Sequence, residues 1–273
     1  FLLNGQQCFI KGIGKHQDYD HMGYAVPDDV LREDVRLVQC MGANLLRAHY
    51  PQAPVVYDEM DAAGVMGWAK IPIMDKIAHT NEFHENTFRM IRELVLQNFN
   101  HPSIVLWGHA CEILGDMDWY WPRPIDPDEK ERHLEQTYKF SVEMENLTRE
   151  LDPSRLTAND YHTDPTPEWY VESDLTDISP LNGWNIYQGW YHVNLENTGA
   201  MLDTTRDYNP DVAHLVAETG AGSDTRIHTH EPTIFDFSIE YQDLYIRTYL
   251  DAVAERSWCT GLCFWTLFDF QVK

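Results

Sequence analysis

The stretch Asn100-His-Pro-Ser-Ile-Val-Leu-Trp-Gly-His-Ala-Cys-Glu112 reads as a turn, a short buried strand and a carboxylate at the strand's exit. Asn100 and Pro102 close off what precedes it, and Ile104, Val105, Leu106 and Trp107 form the apolar run. A carboxylate directly after such a strand is costly unless it faces a polar cleft. The pattern recurs at Ala213-His-Leu-Val-Ala-Glu218-Thr-Gly-Ala, where Gly220 then turns the chain.

Outward from these two segments, strand-like and helix-like stretches alternate. Strands are expected at Cys8–Gly14, Asn44–Arg47, Val65–Ile71, Ser103–Trp107, Leu156–Asn159, Asp177–Trp184, His214–Glu218 and Gly261–Trp265. Helical spacing runs over Pro27–Met41, Ala53–Ala63, Glu82–Asn98, Glu129–Leu151 and Ile239–Arg256, with Gly64 placed as a C-terminal stop. Eight strands alternating with helices predict an α/β fold with a parallel sheet, a (β/α)8 TIM barrel spanning residues 1–273. A dinucleotide-binding sheet is rejected, because Gly12-Ile-Gly14-Lys15-His16-Gln17 lacks the third glycine and leads into a polar loop. The sequence reaches Lys273 just after the eighth strand, so the barrel is expected to lack its last helix. The chain is accordingly expected to be a piece of something longer, with the barrel closed by residues outside it. The Trp- and Pro-rich excursion Gly115–Pro127 exceeds an ordinary βα loop, and such loops are usually functional.

Composition removes several function classes. Acidic residues number 44 against 20 basic ones, a net charge of −24 that repels nucleic acid and anionic membrane surfaces alike. Five cysteines, an odd number with no Cys-x-x-Cys pair, argue against a disulfide framework and against structural zinc. No run approaches the ~20 apolar residues that span a bilayer. Nine Trp and fourteen Tyr exceed what a core needs and lean towards a sugar ligand, whose C–H face packs on aromatic rings. No metal cluster and no cofactor are expected, and cytoplasm, periplasm and secretion all stay open.

Nearly every strand exit carries a polar or aromatic group: His16 and Asp18, Arg47 and His49, Trp68 and Lys70, Cys111 and Glu112, Asn159 and Asp160, then Asn185, Tyr187 and Trp190, then Glu218, and last Trp265. Carboxyl ends of barrel strands are where catalytic groups sit. The constellation describes a deep polar cleft ringed by aromatics. Two carboxylates in it are the minimum equipment for breaking a glycosidic bond.

Several segments carry a resemblance, in order along the chain. They are Asn4-Gly5 with Ile10-Lys-Gly-Ile-Gly-Lys-His16, Arg47-Ala-His49-Tyr50-Pro51, Asn100-His-Pro-Ser-Ile-Val-Leu-Trp107, Asn185-Ile-Tyr187-Gln-Gly-Trp-Tyr191, Glu218-Thr-Gly-Ala-Gly and Phe264-Trp265-Thr-Leu-Phe-Asp-Phe270. Together they resemble the catalytic barrel of glycoside hydrolase family 2, the β-galactosidase and β-glucuronidase family. Within it, Glu218-Thr-Gly-Ala-Gly with His228 and Phe237-Ser-x-Glu-Tyr-Gln242 is most similar to a bacterial β-galactosidase branch.

The resemblance implies a retaining exo-acting β-glycosidase, with β-galactoside the first expectation and β-glucuronidase or β-mannosidase the alternatives. Glu112 would be the acid/base and Glu218 the nucleophile, with their carboxyls about 5–5.5 Å apart. His16, Arg47, His49, Cys111, Asn185, Tyr187, Trp190 and Trp265 would contact substrate, Tyr187 steadying Glu218 and Trp265 stacking on the ring. The partner implied is a carbohydrate, with room for a homo-oligomer built through domains outside this chain. Three positions depart from the family pattern: Cys111 stands where Asn precedes the acid/base, Lys70 where Glu follows Trp-Ala, and Thr266 where Asn follows the stacking Trp. A reading from another class is therefore a degenerate barrel that binds glycan without cleaving it.

Overall fold

In the computed structural model, which describes residues 1–192 and 194–270, eight parallel strands close into one barrel. After a small hairpin, β1 (Leu2–Leu3) and β2 (Gln6–Gln7), the barrel strands are β3 (Ile10–Gly14), β4 (Leu45–Ala48), β5 (Met66–Lys70), β6 (Ile104–Gly108), β7 (Leu156–His162), β8 (Leu181–Asn185), β9 (Ala213–Thr219) and β10 (Cys259–Phe264). Each pairs with its sequence neighbour, and β10 returns to β3 with Gly261 opposite Ile10. The barrel interior is packed rather than open: Ile10, Leu45, Met66, Trp68, Leu106 and Cys263 belong to one buried cluster. A larger apolar shell lies between strands and helices. Filling the interior with side chains leaves the carboxyl end of the barrel as the place for a cleft.

The helices start and stop where local chemistry dictates. They are α1 (Asp28–Cys40), α2 (Pro54–Ala63), α3 (Asn81–Asn98), α4 (Gly115–Trp119), α5 (Pro127–Leu151), α6 (Glu168–Glu172), α7 (Thr198–Tyr208) and α8 (Ile239–Ala254). Gly64 ends α2 at φ 70°, its N–H returning to Met60 O. Thr80 and Ser238 cap α3 and α8 through Phe83 N–H and Tyr241 N–H. Among the described residues no helix follows β10, and no helix is long and apolar enough to cross a membrane.

Several elements differ from the sequence expectation, the unannounced helices α6 and α7 among them. The sixth barrel strand begins at Leu181 rather than Asp177, because Pro180 has no N–H to give the ladder and Leu175–Asp177 winds into a 3-10 turn. The fifth runs on to His162. Helix α5 starts at Pro127, where Asp126 accepts from the N–H groups of Asp128 and Glu129. The excursion Gly115–Pro127 is partly helical, carrying α4. Residues 271–273, with which the sequence reading ended the barrel, lie outside the described residues.

Candidate active site

Glu218 leaves β9 just above the packed interior. Its Oε2 accepts from Arg47 Nη1 at 2.9 Å, and its Oε1 accepts from the Tyr187 hydroxyl at 2.6 Å. His49 Nε2 stands 3.4 Å from the same Oε2. Arg47 comes from β4 and is fully buried. Burial would raise the pKa of Glu218, but the Arg47 guanidinium and the hydrogen bonds from His49 and Tyr187 outweigh it and bring it to about 2. Burial and the Arg47 charge lower His49 to about 4, so its ring is neutral beside Glu218 at ordinary pH.

Glu112 follows β6 through a left-handed backbone, φ 50°, uncommon for a residue with a side chain. Its N–H donates to Asp160 O at 2.8 Å. Its Oε1 accepts from Asn185 Nδ2 at 2.8 Å. Among the described residues no cationic side chain forms an ion pair with it. Burial, then the negative charge of Glu218, push its pKa up to about 8. One carboxyl of the site is therefore ionised and the other protonated at neutral pH, the division of labour an acid and a nucleophile need.

Both carboxyls line one cleft of about 460 Å³. Asn185 and Tyr187 lie with them, and Trp119, His162, Tyr191 and His192 line the cleft as well. Trp119 comes from α4 and packs against His162, ring centres 5.2 Å apart. His162 is locked by Asp118 Oδ2 on Nε2 and the Tyr170 hydroxyl on Nδ1, both at 2.8 Å. Sequence reasoning flagged the excursion that carries Trp119 but missed His162, because it ended the fifth strand at Asn159. Alternation from Thr157 onward, extended past the buried Asp160, was the available signal.

The remaining expected residues fall into three places. His16 and Trp265 flank His49, with ring centres 5.8 and 4.9 Å from it, and meet edge to face at 5.1 Å. His16 Nδ1 bonds the Tyr50 hydroxyl at 2.9 Å. Trp265 is seated by Gly220, where any Cβ would fall 2.1 Å from the Trp265 carbonyl oxygen. Trp190, expected to touch sugar, walls an adjoining cavity of about 380 Å³ with Tyr187, Tyr191 and Trp265, two of which, Tyr187 and Tyr191, also line the cleft. Phe235 and Phe237 hold it there at 4.8 and 5.3 Å.

Cys111, also expected to contact substrate, sits against Arg47 and Asn185. It is buried, with Sγ 3.8 Å from Arg47 Nη2 and 3.9 Å from Asn185 Nδ2, and it does not line the cleft. Lys70, one of the three departures from the family pattern, is fully buried and ion-paired with Asp160. The other oxygen of Asp160 takes Arg47. Thr266 uses its hydroxyl on Gly14 O at 2.8 Å, tying β10 to β3. Among the described residues no group of three His, Cys, Asp or Glu side chains is placed to hold a metal ion.

Comparison with known proteins finds relatives of this chain. The profile described as "Glycosyl hydrolases family 2, TIM barrel domain" matches residues 1–272. A β-glucuronidase of Bacteroides fragilis is 30% identical over 99% of this chain, which spans 37% of that protein. A β-galactosidase of Thermoanaerobacterium thermosulfurigenes is 28% identical over 99% of the chain and 33% of its own length. Among solved structures, Bacteroides uniformis β-glucuronidase 2 covalently bound to cyclophellitol-6-carboxylate aziridine superposes with TM-score 0.91 and 34% identity, covering 98% of this chain and 32% of that one. The chain thus spans about a third of the length of these relatives.

Proposed function

The chain belongs to glycosyl hydrolase family 2 as a TIM barrel domain, and from that premise we propose that it is the catalytic barrel of a retaining, exo-acting β-glycosidase whose substrate is a β-glucuronide. The observation that carries the reading is the pair of carboxyls in one cleft with opposite proton affinities: Glu218 ionised on Arg47 and Tyr187, Glu112 protonated by burial. Glu218 would attack the anomeric carbon and form a glycosyl ester while Glu112 protonates the departing oxygen. Glu112, then ionised, would take a proton from water as it hydrolyses the ester, restoring both groups. Asn185, bonded to Glu112, and Tyr187, bonded to Glu218, would keep the two carboxyls aimed at the same sugar.

The choice of sugar moves away from the β-galactoside expected from local resemblance. That resemblance rested on a few short segments between Glu218 and Gln242, whereas the comparisons extend over nearly the whole chain. β-Glucuronidases of Bacteroides species match the chain more closely than the β-galactosidase of Thermoanaerobacterium does, which favours the uronide. Hydrolysis of a panel of nitrophenyl β-glycosides tests the assignment. The glucuronide is expected to give the highest kcat/KM. Turnover of the galactoside alone would return the first expectation, and no turnover of any sugar by folded protein would leave the degenerate glycan-binding barrel.

Leaving-group recognition falls to the far wall of the cleft. Trp119 is 45% exposed there, on the helix that follows Glu112. Trp119→Ala is expected to raise KM for aryl glycosides about 3- to 10-fold, the worth of one aromatic contact, with kcat little changed. Steady-state kinetics with aryl and methyl glycosides side by side check it. An equal effect on both would mean that Trp119 does not meet the leaving group.

A further inference from the structure

Asp160 is assigned no part in the chemistry above, yet it touches the supports of both carboxyls. It lies near the end of β7 and is fully buried. Its backbone oxygen accepts the Glu112 N–H at 2.8 Å, and a bridge pairs it with Cys111, the residue before. Its side chain takes Arg47 on Oδ2 and Lys70 on Oδ1. Arg47, in turn, holds Glu218 through its other nitrogen at 2.9 Å. Lys70 Nζ also stands 5.1 Å from the Trp68 ring centre. With Glu112 protonated, the buried charges balance: Arg47 and Lys70 against Asp160 and Glu218. Without Lys70, a single guanidinium would face two carboxylates in a packed interior, and unpaired buried charge is strongly destabilising.

Resting on the reading of Glu112 and Glu218 given above, we propose that Asp160 is the positioning residue of the site. Its main chain places Glu112, its carboxylate places Glu218 through Arg47, and Lys70 is the counter-charge that keeps it ionised inside the barrel. Its charge acts as well as its shape. Glu112 is faced by Glu218 from β9, Asn185 from β8, Asp160 from β7 and Asp75 from the segment after β5. All three of those carboxylates favour the protonated acid, and Asp160 is anchored to Arg47 and Lys70.

Asp160→Asn alone would strand Lys70, so the test uses the charge-balanced pair Lys70→Met with Asp160→Asn. The titration of the Glu112 carboxyl is followed by 13C NMR in glutamate-labelled protein, the resonance identified by its loss in Glu112→Gln. In the folded pair variant Glu112 is expected to titrate at lower pH than in wild type. On an aryl β-glucuronide kcat should fall about 100-fold with KM nearly unchanged, the signature of a displaced reacting group. An unshifted Glu112 titration in the folded variant overturns the proposal, whatever the activity. A wild type without turnover on any glycoside defeats the glycosidase reading separately, and the NMR comparison still decides the role of Asp160. Should the pair variant not fold, Asp160→Glu keeps the charge and moves Arg47 by one methylene. A lowered kcat at constant KM is then expected, and an unchanged kcat overturns the proposal.

Discussion

Glu218→Ala is expected to lower kcat/KM on an aryl β-glycoside by about 10⁴- to 10⁶-fold, the scale at which removing a nucleophile acts. Arg47, Tyr187 and His49 all converge on this one carboxylate. None of them can replace it, because a guanidinium, a protonated phenol and a neutral ring held by burial offer no free anion to the anomeric carbon. The variant leaves a small void lined by Arg47, which is a seat for a small anion. Sodium azide is therefore expected to restore turnover of a dinitrophenyl glycoside and to give the glycosyl azide of inverted configuration, since only one displacement then occurs. NMR of the product anomer checks this. Hydrolysis at the wild-type rate by the folded variant would remove Glu218 from the mechanism.

Glu112→Gln carries the second large effect, and its signature is selectivity. A leaving group that needs no proton, such as dinitrophenolate, should still depart in the first step. A methyl or nitrophenyl glycoside should lose about 10²- to 10⁴-fold, the usual contribution of general acid catalysis. On the proposed mechanism, kcat/KM of the wild type requires Glu218 ionised and Glu112 protonated, with pKa values of about 2 and about 8. Activity should hold across neutral pH and fall as pH rises through about 8, where the acid loses its proton. The variant should lose that basic limb. The same shift acts on stability. Glu112 has a folded pKa raised from 4.5 to about 8, so its contribution is fully present below about 4.5 and is lost as pH rises through about 8. Glu112→Gln should therefore melt above wild type at pH 9 and gain nothing at pH 4. A thermal melt at each pH reads the difference, and equal melting shifts at both would mean that burial does not penalise the Glu112 carboxylate.

Glu112 and Glu218 were legible in the sequence because a carboxylate directly after an apolar run contradicts the core pattern around it, and only a cleft resolves the conflict. The barrel was legible for a similar reason: eight short apolar runs recur with helical spacing between most of them. Helix α7 was not. Its segment Thr198-Gly-Ala-Met-Leu-Asp-Thr-Thr-Arg-Asp-Tyr208 buries only Thr198, Leu202 and Thr205, too thin a stripe to announce a period. Asp160 was noticed as a polar strand exit, but its partners Arg47 and Lys70 lie 113 and 90 residues away, and only the closed barrel brings them together. Cys111 and Trp190 were placed on the sugar because their segments resemble others that touch it. Cys111 packs against Arg47, and Trp190 against Phe235 and Phe237, contacts between residues distant in sequence that only the closed barrel reveals.

The pairing of β10 with β3 has a consequence for how the chain is made. The bond from Thr266 to Gly14 joins residues 252 apart. At ~5–20 residues per second on the ribosome, the first barrel strand would wait roughly 10–50 s before its partner emerges. Through that interval Ile10–Gly14 offers an open edge, the kind of surface that recruits other chains. A nascent chain released before Cys259 would carry Glu112, Glu218, Arg47 and Tyr187 and still have no Trp265 beside His16 and His49. Glu112 and Glu218 are thus translated before Trp265, the ring that packs beside His16 and His49.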